Sequence, residues 1–279
     1  MDKIGIIGMG VVGKAIHSFY IRRISTLWLY DKYKNIGTVK NIAENCRIIY
    51  VAVPTPYKKN VGFDLRELTD VLGLLECELK KINKMCVVLL KSTILPGTSD
   101  KFSKRFPYLN IIYNPEFLSN STAIEDFSNP KQIILGKTLI SSNDVFKNII
   151  KIHKKYWPGV LVTGTSAENA ECTKIFLNNF YAVKIQFFNE LWYLVKSLQI
   201  NENYRVDYKE ILKMMIDNGW LNPMHTRVPG SDGLLSYGGK CFPKDTNALL
   251  EMMKLNSPYY NVLKSVIEER RCIRDMDDF

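Results

Sequence analysis

A cysteine near the end of the chain stands where it could act as a nucleophile. Cys241 follows the pair Gly238-Gly239, and Lys244 and Asp245 come three and four residues after it. A glycine-rich loop before a helix exposes a thiol, and a cation and a helix N-terminus both stabilise a thiolate. Asp245 is placed to hydrogen-bond a substrate or a neighbouring base. Chemistry at this position would pass through a covalent sulfur intermediate.

The first residues of the chain carry the glycine spacing of a dinucleotide-binding turn. Gly8, Gly10 and Gly13 follow an apolar segment, and Asp31 ends the next such segment about 20 residues later. The glycines let the backbone approach a pyrophosphate, and the carboxylate can accept hydrogen bonds from the adenosine ribose hydroxyls. Because a carboxylate there repels a 2′-phosphate, NAD is favoured over NADP. Together with the thiol, this turn indicates an oxidation through a sulfur-bound intermediate.

Composition and cysteine spacing argue against several other classes of protein. The six cysteines form no Cys-x-x-Cys pair and there are three histidines, so neither a metal site nor a disulfide scaffold is predicted. We interpret the cysteines other than Cys241 as small apolar side chains. No apolar run approaches the ~20 residues that cross a bilayer, which predicts no membrane partner and a cytosolic protein.

The positive charge lies in the first part of the chain. Residues 1–165 hold 24 Lys and Arg against 13 Asp and Glu, whereas the remainder holds 14 against 15. A basic half could attract nucleic acid, diphosphate ligands or only solvent. The lysine pairs lack the interleaved aromatic residues of a strand-binding groove, so we predict no nucleic-acid partner.

Alternating apolar and amphipathic segments predict a doubly wound, Rossmann-like parallel sheet domain over residues 1–165. An all-helical dimerisation domain is predicted over residues 166–279, and its long central helix is expected to pack against its twin in a homodimer. The predicted strands are residues 4–7, 26–30, 47–53, 86–90, 110–113, 132–135 and 160–162. The predicted helices include residues 64–82, with Asp64 as N-cap, and residues 168–199, 208–218, 244–255 and 259–274.

One face of the long predicted helix carries an unusual stripe of side chains. A lone lysine on a helix is normally a surface residue, but this stripe combines an acid, a cation and amides with small and apolar residues. Three- and four-residue spacing places them together. The stripe consists of Glu171, Lys174, Asn178, Ala182, Ile185 and Asn189.

Seven sequence blocks resemble, in order, those of the UDP-glucose/GDP-mannose dehydrogenase family. The resemblance implies NAD-dependent oxidation of a nucleotide-sugar C6 alcohol to the acid, with UDP-glucose favoured as substrate. GDP-mannose and a catalytically silent NAD-binding subunit remain alternatives. The blocks are the glycine turn with Asp31, Val53-Pro54-Thr55-Pro56, Lys91-Ser92-Thr93-Ile94-Leu95-Pro96-Gly97-Thr98, Asn114-Pro115-Glu116-Phe117-Leu118, Glu171, Lys174 and Asn178 with Asn189-Glu190, residues 225–233, and residues 238–246.

The resemblance implies a catalytic role for several residues. Cys241 would attack the aldehyde to give a thiohemiacetal, and a second oxidation would give a thioester. Lys174 and Asn178 would hold the oxygen at C6 and stabilise its charge. Asp245, with a water held near Thr93, would assist the first deprotonation.

Substrate contacts are implied in the same way. Glu116 would help water to hydrolyse the thioester, and Phe117 and Leu118 belong to the same substrate-binding block. Gly238 would touch the sugar. Arg227, in the loop of residues 224–239, is a candidate contact for the diphosphate.

Cofactor contacts complete the implied site. Thr55 and Thr93 would line the nicotinamide side, and Lys244 would approach the phosphates. The turn residues implied to bind NAD are Gly8, Gly10, Val12, Gly13 and Asp31.

The sequence departs from the family pattern in two ways. Asn120 stands where relatives usually have a second acid, and an amide cannot act as a base. The chain also stops near the end of the helical unit, in a predicted polar tail, so we expect the third, UDP-binding domain to be absent. Substrate binding would then be weak, salt-sensitive and poorly selective between UDP- and GDP-sugars.

Overall fold

The computed structural model describes residues 3–201 and 204–274. The chain forms two compact units, the first comprising residues up to Pro56 together with Phe63–Ile175, and the second comprising Tyr57–Gly62 together with the residues from Phe176 onward. Most of the predicted polar tail, residues 275–279, lies outside the described residues.

A seven-stranded sheet forms the centre of the first unit. Its strands lie in the order β2-β1-β3-β6-β7-β8-β9, and two short strands, β4 and β5, pair with each other separately. The strands are β1 (Ile4–Ile7), β2 (Leu27–Tyr30), β3 (Ile48–Val51), β4 (Tyr57–Lys58), β5 (Gly62–Phe63), β6 (Cys86–Leu90), β7 (Leu109–Tyr113), β8 (Gln132–Lys137) and β9 (Leu161–Ser166). The seven predicted strands are confirmed, because short apolar runs between helical patterns are typical of strands in such a sheet.

The sheet is parallel except between β7 and β8, where Ile112 lies opposite Lys137 in an antiparallel pair. This exception was not predicted. Because β8 runs back from the edge at which β7 ends, the connection between them stays at that carboxyl edge. The block Asn114-Pro115-Glu116-Phe117-Leu118 lies in this connection.

Helices cover both faces of the sheet, as the doubly wound prediction requires. Side chains alternate along each strand, so that Ile49 and Val51 enter one core cluster and Ile48 and Tyr50 the other. The helices of this unit are α1 (Val11–Tyr20), α2 (Val39–Asn45), α3 (Arg66–Lys81), α4 (Thr98–Arg105), α5 (Ala123–Ser128) and α6 (Asn143–Tyr156).

The start of α3 differs from the prediction. The helix begins at Arg66 with Leu65 at the N-cap position, and Leu65 makes no side-chain capping bond. The Asp64 carboxylate still accepts a hydrogen bond from the Arg66 backbone N–H at 3.0 Å. Asp64 therefore still contacts the first turn of α3, but from the position before the N-cap residue.

Helices dominate the second unit. They are α7 (Ala167–Asn201), which begins in the first unit, α8 (Tyr208–Asp217), α9 (Phe242–Asn256) and α10 (Asn261–Ile273). None of the helices in the described ranges is long and apolar enough to span a membrane.

The predicted helices of residues 166–279 are all present, and the short hairpin of β4 and β5 adds residues Tyr57–Gly62 from the first part of the chain to the second unit. The Tyr57 hydroxyl donates to the Glu251 carboxylate on α9 at 2.5 Å, and the Asn60 N–H donates to the same oxygen at 2.8 Å. Two-residue strands carry no periodic signal, so the sequence did not predict this element.

Candidate active site

The glycine turn between β1 and α1 has the shape that a dinucleotide requires. Gly8 has φ +90°, and a Cβ there would lie 2.6 Å from the Ala52 carbonyl oxygen; a Cβ on Gly13 would lie 1.9 Å from the Gly8 carbonyl oxygen. A Cβ on Gly10 would meet nothing within 4 Å. Gly8 and Gly13 are thus required by packing, and the space beside Gly10 lets a ligand approach the start of α1. Val12 lies in the first turn of α1.

Asp31 follows β2 and is held by backbone N–H groups. Its Oδ2 accepts from Met9 N at 2.7 Å, and its Oδ1 accepts from Tyr33 N and Lys34 N at 3.0 Å. Burial acts to raise the pKa of Asp31, but these bonds and the Lys34 charge lower it overall. Asp31 is therefore a fixed, ionised acceptor beside the glycine turn.

A cavity of about 560 Å³ lies beside this turn, within the first unit. Gly8 and Asp31 contribute to its lining, and most of the remaining wall is apolar. A largely apolar cavity with the Asp31 carboxylate and an open glycine turn fits the adenosine half of a dinucleotide. The charged side chains of its lining are Asp31, Lys32, Glu67, Asp70 and Arg105. Its apolar lining residues include Ile7, Val53, Pro54, Val71, Leu74 and Phe106.

The two threonines predicted to line the nicotinamide side lie together. They follow the carboxyl ends of β3 and β6, and the Thr55 hydroxyl donates to the Thr93 carbonyl at 2.7 Å. The neighbouring Ser92 hydroxyl donates to the Val53 carbonyl at 2.6 Å. These bonds fix two adjacent strand ends at the edge where ligands bind in doubly wound folds.

Glu116 and Lys174 form a buried ion pair in the first unit. The Lys174 Nζ lies 3.0 Å from Glu116 Oε1, donates to the Glu116 carbonyl at 2.5 Å, and lies 5.2 Å from the centre of the Phe117 ring. Glu116 Oε2 accepts from Leu118 N at 2.8 Å. Burial raises the pKa of Glu116, but the Lys174 charge and the Leu118 bond more than offset it. The structure thus brings together an ionised carboxylate and a cation that the sequence placed 58 residues apart.

Lys91 is a further basic residue near this pair, and no role was predicted for it from the sequence. Its ammonium lies 5.4 Å from the Phe127 ring and 6.0 Å from the Tyr50 ring. Burial lowers the pKa of Lys91 to about 7; the charge of Glu116 opposes this shift and the charge of Lys174 adds to it. Its place in a family block was the only sequence signal.

Glu171, from the predicted stripe, contacts the start of α4. Its two carboxylate oxygens accept from Gly97 N at 2.6 Å and Ser99 N at 2.8 Å. It therefore caps a helix that begins 73 positions earlier in the chain. Burial raises the pKa of Glu171 although these hydrogen bonds act to lower it.

Asn178 and Asp245 meet in the second unit. The Asn178 side-chain amide donates to Asp245 Oδ2 at 2.6 Å, and the Asn179 amide donates to the Asp245 carbonyl at 3.3 Å. Lys244 Nζ lies 2.6 Å from Asp245 Oδ1. Asp245 is fully buried, and its two carboxylate oxygens contact an amide and a cation.

Cys241 is exposed and occupies the N-cap position of α9. Phe242 and Pro243 open the helix, so the thiol precedes a helix N-terminus as the sequence predicted. Next to it, the Phe242 ring lies 5.5 Å from the ring of His225.

The remaining predicted contacts lie in the loop before α9. Arg227 is exposed. Gly238 lies against the Arg274 guanidinium, a neighbour that the sequence did not indicate, since a Cβ there would lie 2.1 Å from it. The catalytic, cofactor and substrate assignments of all these residues stay predictions.

Comparison with protein families places both parts of the chain. A model described as the UDP-glucose/GDP-mannose dehydrogenase family, NAD binding domain, matches residues 24–155. A second, described as the central domain of that family, matches residues 168–269.

Curated relatives agree with this match, and solved structures share the fold. The chain is 27% identical to a UDP-glucose 6-dehydrogenase of Campylobacter jejuni, covering 91% of this chain and 58% of that protein, and 30% identical to one of Rickettsia conorii, covering 86% and 52%. The chain thus spans about half the length of these relatives. A UDP-glucose dehydrogenase structure from Pyrobaculum islandicum has TM-score 0.78 at 20% identity, covering 96% of this chain and 68% of that one. A GDP-mannose dehydrogenase structure from Pseudomonas aeruginosa has TM-score 0.68 at 21% identity, covering 97% and 69%.

Proposed function

Because this chain belongs to the UDP-glucose/GDP-mannose dehydrogenase family and carries its NAD binding domain, we propose that it oxidises UDP-glucose to UDP-glucuronate. The observation that carries the proposal is the exposed thiol of Cys241 at the N-terminus of α9. A cysteine that serves only to pack the core is normally buried and does not require a position at a helix N-terminus.

The chain's own residues support a division of labour in this reaction. Bound NAD would accept hydride in each of two oxidations. Lys174 and Asn178 hold the oxygen at C6, and Asp245 with a water near Thr93 takes the proton of the alcohol. Cys241 then adds to the aldehyde carbon, and oxidation of the thiohemiacetal leaves a thioester.

Hydrolysis of the thioester needs a base, and Glu116 is suited to that role. The positive charge of Lys174 lowers its pKa against the effect of burial, so that the carboxylate is ionised at neutral pH. An ionised carboxylate can take a proton from the attacking water, which releases the acid and the free thiol.

Substitution of Cys241 by serine tests the proposal most directly. In the Cys241→Ser protein we expect UDP-glucuronate formation to fall by a factor on the order of 10³ or more, while a slow first oxidation survives. The measurement is product analysis by chromatography together with NADH absorbance. Cys77→Ser, which changes another exposed cysteine, is the matched control and should keep the parent rate. A Cys241→Ser protein that makes the acid at the parent rate would overturn the mechanism.

A panel of nucleotide sugars separates the proposed substrate from the alternatives. UDP-glucose should give the fastest NADH formation. Faster turnover of GDP-mannose would reassign the substrate, and bound NAD without turnover of any sugar would indicate a silent subunit.

We also propose that Arg227 contacts the substrate diphosphate. The side chain is exposed in the loop before Cys241 and carries a charge that a diphosphate attracts. The KM for UDP-glucose should rise with ionic strength, and Arg227→Ala should raise it at low salt and flatten its salt dependence. Arg22→Ala, at an exposed arginine of the first unit, should leave both unchanged.

A homodimer built on α7 forms the last part of the proposal. Phe176, Phe180, Phe187 and Leu194 recur at spacings of four and seven residues, and each is at least half exposed, at 54%, 58%, 51% and 54%. Such a stripe normally packs against another helix. Light scattering at micromolar concentration should give twice the monomer mass, and a stable monomer would contradict it.

A further inference from the structure

Two arginines of the second unit contact the loop that leads to Cys241, and the proposed mechanism does not use them. Arg270 lies in the last turn of α10, and Arg274 follows the end of that helix. Neither position belongs to the sequence blocks that indicated the site.

Arg270 is buried and binds the backbone of the loop. Its Nε donates to the Tyr237 carbonyl at 2.8 Å, and its guanidinium carbon lies 5.4 Å from the centre of the Tyr237 ring. Only 3% of Arg270 and 1% of Tyr237 are exposed. A buried guanidinium is costly unless its donors are used, so this contact constrains the carbonyl that it meets.

Arg274 holds the same loop at a second place. Its guanidinium packs on Gly238, and its Nη2 lies 2.7 Å from Asp232 Oδ2. Asp232 is in turn bound to the loop, because its Oδ1 accepts from Leu234 N at 3.0 Å. Burial raises the pKa of Asp232, but the bond to Arg274 lowers it overall and keeps the carboxylate charged.

The segment that the arginines hold has little stiffness of its own. Gly239 has φ +72°, in the left-handed region, and a Cβ there would meet nothing within 4 Å. Two consecutive glycines lose much backbone entropy when they are fixed. Cys241 is only three residues beyond Gly238, so a shift of the Gly238 backbone would also move the Cys241 thiol.

We propose that Arg270 and Arg274 are positioning residues, which fix Tyr237 and Gly238 and so set the place of the Cys241 thiol. The inference rests on the proposed role of Cys241 as nucleophile. It also explains why residue 238 is a glycine. An alanine there would have to displace the Arg274 guanidinium, whether or not the sugar touches this residue.

Alkylation of Cys241 by iodoacetamide, measured without substrate, tests the inference. The rate is followed by mass spectrometry of the Cys241 peptide, with exposed Cys77 in the same sample as reference. In Arg270→Lys and Arg274→Met we expect the Cys241 rate to change several-fold while the Cys77 rate stays constant. The kcat for acid formation should fall roughly 10- to 100-fold, with the KM for NAD unchanged.

Arg271→Met is the matched control. Arg271 neighbours Arg270 but is exposed, and its Nη2 contacts Asn247 on α9 at 3.3 Å. It should leave the Cys241 rate as in the parent. Because Arg270 is buried and its variant could fail to fold, Asp232→Asn provides a second route: it weakens the anchor of Arg274 at a half-exposed carboxylate.

A double-mutant cycle between Gly238 and Arg274 sharpens the test. If both act through one contact, Gly238→Ala and Arg274→Ala change the Cys241 alkylation rate similarly, and the double variant is no worse than either. Effects that multiply in the double variant would overturn the inference. So would folded Arg274→Met and Asp232→Asn proteins with parent alkylation rates.

Failure of the proposed function gives a different result. If the parent protein oxidises no nucleotide sugar, but the alkylation of Cys241 still responds to Arg274→Met and not to Arg271→Met, the enzymatic proposal is wrong. The positioning of the thiol by the arginines is then upheld.

Discussion

The two units hold their chemistry in place by different means. In the first, glycine turns and strand ends carry the cofactor-side residues, and two apolar clusters, one on each face of the sheet, support them. In the second, buried polar side chains connect α7, the loop before Cys241 and α10. Burial of apolar surface is not directional, whereas hydrogen bonds fix particular atoms.

The polar connections of the second unit form a chain of contacts. The Ser236 hydroxyl donates to the Gln186 side-chain oxygen at 2.5 Å, and the Ser236 N–H donates to the Asn189 side-chain oxygen at 2.9 Å. The Gln186 amide then donates to Glu269 on α10 at 2.9 Å. Gln186 and Asn189 are buried, so each contact satisfies a group that water cannot reach. Apolar burial thus gives the main support of the cofactor side, while hydrogen bonds to buried side chains hold the loop before Cys241 in place.

Truncation of the apolar core should have the largest effect on stability. Leu72 on α3 is fully buried between that helix and the sheet. Leu72→Ala should lower the free energy of unfolding by about 2–5 kcal/mol, since it removes apolar contacts and leaves a cavity. Urea denaturation followed by circular dichroism measures this. Leu74→Ala, on the same helix at a side chain that is 53% exposed, is the control and should cost far less; equal losses would contradict the role of burial.

Acidification should weaken the first unit through His153. This ring is buried against Trp157, and burial lowers its pKa to about 4 from an ordinary 6.5. A histidine kept neutral by folding stabilises the protein above pH 6.5, and that contribution is lost as pH falls from 6.5 towards 4, up to about 3 kcal/mol. The measurement is the unfolding free energy of the parent and of His153→Phe across this range. The parent curve should fall more steeply, and parallel curves would contradict the prediction.

Removal of one polar contact in the second unit should have the smallest effect on stability. Asn189→Ala leaves the Ser236 N–H without its acceptor and should cost about 1–3 kcal/mol. Urea denaturation again measures it, with Asn256→Ala at an exposed asparagine of α9 as control. If Asn189→Ala lowered the free energy of unfolding as much as Leu72→Ala, the two units would not differ in what stabilises them.

The sequence predicted the first unit better than the second for a physical reason. Strands such as residues 86–90 and 132–137 have local signals in apolar runs, and the glycine turn is local as well. The bond between Ser236 and Asn189 joins residues 47 positions apart, and that between Gln186 and Glu269 joins residues 83 apart. No periodic pattern encodes such partners.

The candidate site shows the same division. The threonine pair and Asp31 follow strands that could be read from the sequence. Lys174 was singled out only through family resemblance, and its contact with Glu116 depends on the fold. Arg270 and Arg274 gave no signal, because a basic residue near a helix end is normally a solvated one.

The backbone bonds to Asp31 have a consequence for cofactor affinity. A carboxylate has about four lone-pair sites, and in the described part of the chain the N–H groups of Met9, Tyr33 and Lys34 take three of them. One site on Oδ2 is left, so a ribose would gain a single strong hydrogen bond from this side chain rather than a forked pair. The Asp31 side chain is already held in one rotamer before the ligand binds. Binding therefore does not cost the conformational entropy that is lost when a mobile side chain becomes ordered.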